Sequence, residues 1–167
     1  MYSDHFKLAD ELIDHLDSVL SDVSDPFIVS RYTGFVAVSS VTVLEMALKS
    51  IFCDFANAKH KVLGTFCAKH FERINGRIGL DMICGDYLPR FGSQYQARFK
   101  RRLDKLEQTE LRSAGVSVKT AYKNLLTWRN AFSHGGNVPQ SASYDEVKAA
   151  YACGKALMNC LASCMRR

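Results

Sequence analysis

Apolar positions along the chain repeat at helical spacing almost from end to end. Phe6, Ala9, Ile13, Leu16 and Leu20 recur at 3-4-3-4 with acids opposite them, which predicts an amphipathic helix over about 3–23. Asp25-Pro26 then supplies an N-cap and a first-turn proline for a second helix running toward Phe55. The middle of that segment (Val36, Val38, Val41, Thr42, Val43) is β-branched enough to suggest a strand. It is too long for one and passes into the good helix formers Leu44 to Lys49, so helix is expected. A third helix is expected over 59–74, closing at Asn75-Gly76. Residues 76–93 hold four glycines and Pro89 and read as a long connection with room for one short helix. Helices over 94–111 and 117–134 follow, the latter ending at Gly135-Gly136. Ser143-x-x-Glu146 forms a capping box that opens a last helix to about Cys164. With no internal repeat and no linker, the 167 residues are expected to form one all-α domain, a bundle of five to six helices.

Composition agrees: 47% hydrophobic, 23% charged and only 3 prolines suit a chain with a sizeable core and exclude disorder. The stretch from Tyr32 to Leu48 carries Glu45 and several hydroxyl residues, and no membrane span is expected. The N-terminus lacks the basic and apolar regions of a secretory signal, so a cytoplasmic location is expected. Charge is uneven. The first thirty residues hold seven acids against Lys7, a net of −6, leaving +11 for the rest of a chain with net +5. Such asymmetry favours a polyanionic partner such as nucleic acid. Of the six cysteines, Cys153, Cys160 and Cys164 share one helix face as small apolar residues would. Cys67 and His70 have the spacing of half a zinc site, but no second pair follows, so no metal and no other cofactor is expected.

The chemistry-bearing segment is Thr127 to Gly136. Val118, Tyr122, Leu125, Arg129 and Phe132 form a 4-3-4-3 stripe, placing Arg129 on a packed face where its guanidinium needs an anionic partner. Asn130 and His134 are four apart on one face, and His134 lies in the last turn, where the helix dipole favours imidazolium. Three such side chains at one helix end, beside two glycines, suit a phosphodiester. Taken singly, Arg129 also fits a structural ion pair and His134 a helix cap. Glu45, the one charge between Arg31 and Lys49, is a candidate partner for Arg129, with simple exposure as the alternative. Arg98, Lys100, Arg101, Arg102 and Lys105, interleaved with Phe91, Tyr95 and Phe99, form either an RNA backbone track or a solvated basic face.

Arg129-Asn130-x-x-x-His134 resembles the R-(polar)-x3-5-H signature of the HEPN superfamily of α-helical ribonucleases. The wording Arg-Asn-x-Phe-x-His-Gly, the apolar second helix and the capped last helix are most similar to the RiboL-PSP and MAE-type HEPN group. The resemblance implies a HEPN bundle forming a symmetric homodimer, with two copies of Arg129, Asn130 and His134 meeting in one composite site. It further implies RNA as substrate, metal-independent cleavage by 2′-hydroxyl attack, a toxin or phage-defence role, and an antitoxin or other regulatory protein as partner. No carboxylate cage for Mg2+ stands out in the sequence, in agreement with that chemistry. A non-catalytic HEPN module that binds RNA or protein is the alternative. One position departs from the pattern: HEPN toxins paired with minimal nucleotidyltransferases carry a tyrosine two residues after the histidine, and Gly136 stands there.

Overall fold

The computed structural model describes residues 1–136 and 142–166, and among them it contains helices and no strand. A 3-10 turn (Tyr2–Phe6) leads into α1 (Lys7–Leu20), followed by α2 (Pro26–Lys59) and α3 (Lys61–Phe71). A broken helical segment comes next: α4 (Leu80–Met82), a wide π-type turn (Ile83–Tyr87) and α5 (Leu88–Phe91). Then come α6 (Ser93–Ala114), α7 (Val118–Gly135) and α8 (Tyr144–Met165).

α2 is the axis of the bundle, with α1, α3, α7 and α8 packed around it. Its β-branched middle is where the core lies: Val36, Val43, Leu44, Ala47, Leu48 and Phe52 are wholly buried. Tertiary burial thus overrides the modest helix cost of those residues. By length and composition alone α2 is apolar enough to cross a membrane, with mean hydropathy 1.6 over its most apolar window, a test that a buried core helix also passes. Within the bundle 56% of the same window is buried against the other helices.

The termini of the helices follow their local signals. Asp25 accepts the Phe27 N–H at 2.8 Å, and Ser143 and Glu146 complete the reciprocal cap of α8 at 3.2 and 2.8 Å. Gly115 and Gly136 close α6 and α7 in the left-handed conformation. The acids of α1 are partly spent on α8: Asp10 holds Lys155 and Asp17 holds Lys148, both at 2.8 Å. All six cysteines carry free thiols, with Cys67 and Cys164 buried.

The connection between α3 and α6 is more ordered than its glycines suggest. Phe52 of α2 stacks on Phe71 at 4.9 Å and on Phe91 at 5.0 Å, so aromatic packing rather than local propensity holds α5 in place.

Candidate active site

Position within α7 decides what each candidate side chain can reach. Val118, Tyr122 and Leu125 of the expected stripe are fully buried, and Arg129 and Phe132 continue it at the edge of the core. Phe132 is seated against α2 at Gly34, where a Cβ would clash with the carbons of the phenyl ring. Its ring also meets Phe35 edge-on at 5.6 Å. Arg31 of α2 donates to the Gly136 carbonyl, capping the C-terminal end of α7. The last turn of α7 is therefore fixed to the first half of α2 on two sides.

Arg129 points at the connection after α3. Its Nη2 donates to the Gly76 carbonyl at 3.2 Å, and its Nε is buried without a hydrogen-bond partner among the described residues. Glu45 approaches the same peptide unit from α2: its Oε2 accepts the Gly76 N–H at 2.6 Å, while Oε1 pairs with Lys49 at 2.7 Å. The expected direct ion pair between Glu45 and Arg129 is not formed. Lys49, one turn along α2, takes the carboxylate instead, and Glu45 reaches Arg129 only through the Gly76 backbone.

The strand of chain around Gly76 is pinned repeatedly. Tyr122 donates to the Ile78 carbonyl and Tyr87 to the Arg77 carbonyl, each at 2.7 Å. Burial pushes both phenols above the usual tyrosine range, so each remains a donor at neutral pH. Asn75 and Gly76 have φ of +33° and +77°, and a Cβ on Gly76 would sit 2.6 Å from Arg129 Nη2. A glycine there is what lets the guanidinium lie against the backbone.

His134 is exposed on the final turn of α7 and holds no hydrogen bond among the described residues. Asn130 is also exposed. It lines a shallow hollow of about 570 Å³ with Lys119, Lys123 and Asp81, and its side chain makes no bond to His134. Arg129 and His134 are five positions apart, roughly 140° around a helix and 7–8 Å along it. The chain thus presents an imidazole and an asparagine to solvent and a guanidinium turned inward.

The basic face of α6 divides in two. Arg98 donates to the Cys164 carbonyl at 3.0 Å and Arg102 to Ser163 Oγ at 2.6 Å, tying α6 to the C-terminal end of α8. Lys100, Arg101 and Lys105 are exposed. Phe99 is in the core, while Phe91 and Tyr95 are half-buried. Among the described residues no group of three or more histidines, cysteines or carboxylates could hold a metal ion.

The sequence pattern did not single out Gly76, Gly34 or Arg31. Gly76 was visible as a helix stop, and its second role needs the fold. Arg31 and Gly136 are 105 positions apart, and nothing local links them.

The all-α bundle thus ends a core-facing helix on Arg-Asn-x3-His and a left-handed glycine. The chain belongs to the RiboL-PSP-HEPN family, whose model matches residues 3–166. HEPN domains are generally associated with ribonucleases and RNA, and often dimerise. No curated protein and no solved structure matches the chain.

Proposed function

We propose that this protein is a homodimeric, metal-independent endoribonuclease, acting in the cytoplasm as a toxin or phage-defence effector under the control of an antitoxin or similar regulatory protein. The observation that carries it is the placement of His134: an exposed imidazole on the last turn of α7, beside an exposed, mainly apolar row on α2. That row comprises Ile28, Tyr32, Phe35 and Met46, all exposed, with Phe35 at 56%, and the polar Thr42 lies between the last two. Phe35 touches Phe132, two residues before His134, so a second copy seated on the row would bring its own His134 close to the first.

In the composite site one His134 takes the proton of the ribose 2′-hydroxyl as the oxygen attacks the adjacent phosphorus. The other His134 gives a proton to the departing 5′-oxygen, leaving a 2′,3′-cyclic phosphate and a 5′-hydroxyl. Arg129 swings from the Gly76 carbonyl to the non-bridging oxygens, where charge accumulates. Asn130, on the His134 face, contacts the phosphate.

Replacing His134 by Ala is expected to lower cleavage of single-stranded RNA by about 10²–10⁴-fold with the fold intact, because the ring is exposed. Growth arrest on expression should disappear with it. Equal cleavage by the two proteins would overturn catalysis. A second reading, a non-catalytic HEPN module, is favoured by one observation: the bond from Arg129 to Gly76 gives the arginine a structural task of its own.

A further inference from the structure

α3 turns apolar side chains toward solvent. Val62, Leu63 and Phe66 are exposed, Phe66 at 72%, on a helix of 11 residues. Phe66 stands at the lip of two adjoining hollows and, with His70, lines both. The first, of about 300 Å³, is walled by Phe55, Phe91 and Tyr95 and rimmed by Lys59, Arg90 and Gln94. Its rings are set edge to face, Phe55 to Phe91 at 5.8 Å and to Tyr95 at 5.1 Å, so the wall is rigid. The second, of about 620 Å³, carries Lys69, Arg73 and Arg77 and leads to the backbone that holds Arg129.

Charge separates the two. The carboxylates of this region are occupied: Asp86 by Arg90 at 2.7 Å and Glu72 by Lys69 at 3.1 Å. Lys59, Arg73 and Arg77 have no ion-pair partner among the described residues. His70 adds a buried Nε2 with no hydrogen-bond partner there, a polar atom that costs free energy until something reaches it. An aromatic slot with a cationic rim, opening onto a cationic groove, selects a planar heteroaromatic ring joined to phosphate.

We infer that the slot between α3 and α5 binds one unstacked nucleobase, with the attached phosphates running over Arg73 and Arg77 toward Arg129. The inference deepens the ribonuclease reading by naming where the RNA strand is held, and its readout is binding. The base stacks on Phe66 and Phe91, and its edge meets His70 or Gln94. This path differs from the α6 face, where two of five cations are tied to α8.

The test uses a His134→Ala background, so that RNA stays uncut, and measures binding by fluorescence anisotropy. The probes are a labelled single-stranded 12-nucleotide RNA, the same strand with abasic positions, and adenosine and uridine 5′-monophosphates. Phe66→Ala is expected to weaken the intact strand by about tenfold and to leave the abasic strand unchanged, while Phe66→Trp keeps full affinity. Arg73→Ala with Arg77→Ala should weaken both strands and flatten the salt dependence. Saturable binding of a monophosphate that is lost in Phe66→Ala, without an effect on RNA, identifies a free nucleotide as the source of the same chemistry. Unchanged binding of both RNA and monophosphates by Phe66→Ala, or no binding of either by the parent, overturns the slot. Cleavage that survives His134→Ala would sink the catalytic reading alone, and base-dependent binding would still stand.

Discussion

Glu45 and Arg129 hold the two sides of one peptide unit: the carboxylate takes the Gly76 N–H at 2.6 Å and the guanidinium donates to the Gly76 carbonyl at 3.2 Å. Neither side chain touches the other, yet each limits where the other can go. Replacing Glu45 by Ala removes the acceptor and leaves Lys49 without its partner. The expected cost is about 1–3 kcal/mol, read from chemical denaturation. Glu45→Gln should recover part of it, since an amide oxygen still accepts the N–H.

Gly76→Ala attacks the same unit from the backbone. A φ of +77° and a Cβ 2.6 Å from Arg129 Nη2 combine strain with a clash. A loss of about 1–3 kcal/mol is expected, together with displacement of the arginine. Because the proposed mechanism moves Arg129 off Gly76 to the phosphate, cleavage per folded molecule should fall less in Gly76→Ala than in Arg129→Ala.

Gly34 and Phe132 form the corresponding joint between α2 and α7. A methyl group at Gly34 would occupy the space of the ring, so Gly34→Ala should destabilise by about 1–3 kcal/mol. Phe132→Ala removes the obstacle, and the double variant should be more stable than the summed single effects predict. A double-mutant cycle with no coupling would show that the ring simply moves aside.

Helix positions were legible wherever the information is local. The Asp25-Pro26 start, the Ser143–Glu146 box and the glycine stops sit within a few residues of the termini they specify. The placement of Arg129 at the edge of the packed face followed from the Val118 to Phe132 stripe. What could not be read was the partner of each charge. The sequence leaves Glu45 either paired with Arg129 or simply exposed, and neither holds, because Lys49, one helical turn away, takes its carboxylate. For Arg98 and Arg102 the sequence offers an RNA track or a solvated face and misses their ties to α8, because the Cys164 carbonyl and Ser163 hydroxyl they bind lie more than sixty positions away. The sequence leaves room for only one short helix in the 76–93 connection, because the order of 80–91 comes from Phe52 and Phe71 packing on Phe91 and Tyr87.

The α2 row gives the dimer its own test. Phe35→Asp places a charge in the proposed seam at an exposed position, so the protomer should still fold. Light scattering is expected to shift from dimer to monomer mass, and cleavage to fall on the order of a hundredfold, as loss of one proton-transfer group would produce. An active monomer would discard the composite site.

The pair between α1 and α8 sets a weak dependence on acidity. Lys148 donates to Asp17 and holds its carboxyl below the usual value of 3.8, and the same bond holds the lysine above its usual 10.5. Because the carboxyl is depressed on folding, its stabilisation is present above about pH 4 and is lost as pH falls through the folded value. Asp17→Asn should therefore lower stability by about 0.2–1 kcal/mol at pH 7, with the difference vanishing in strong acid. High salt should shrink it as well.

The bond from Arg129 to Gly76 parks a guanidinium on an uncharged oxygen. A phosphate must draw it away, and charge-assisted bonding makes that exchange favourable only for a group carrying full negative charge. Neutral molecules leave the guanidinium where it rests, so under the proposed function this resting bond itself sorts ligands by charge.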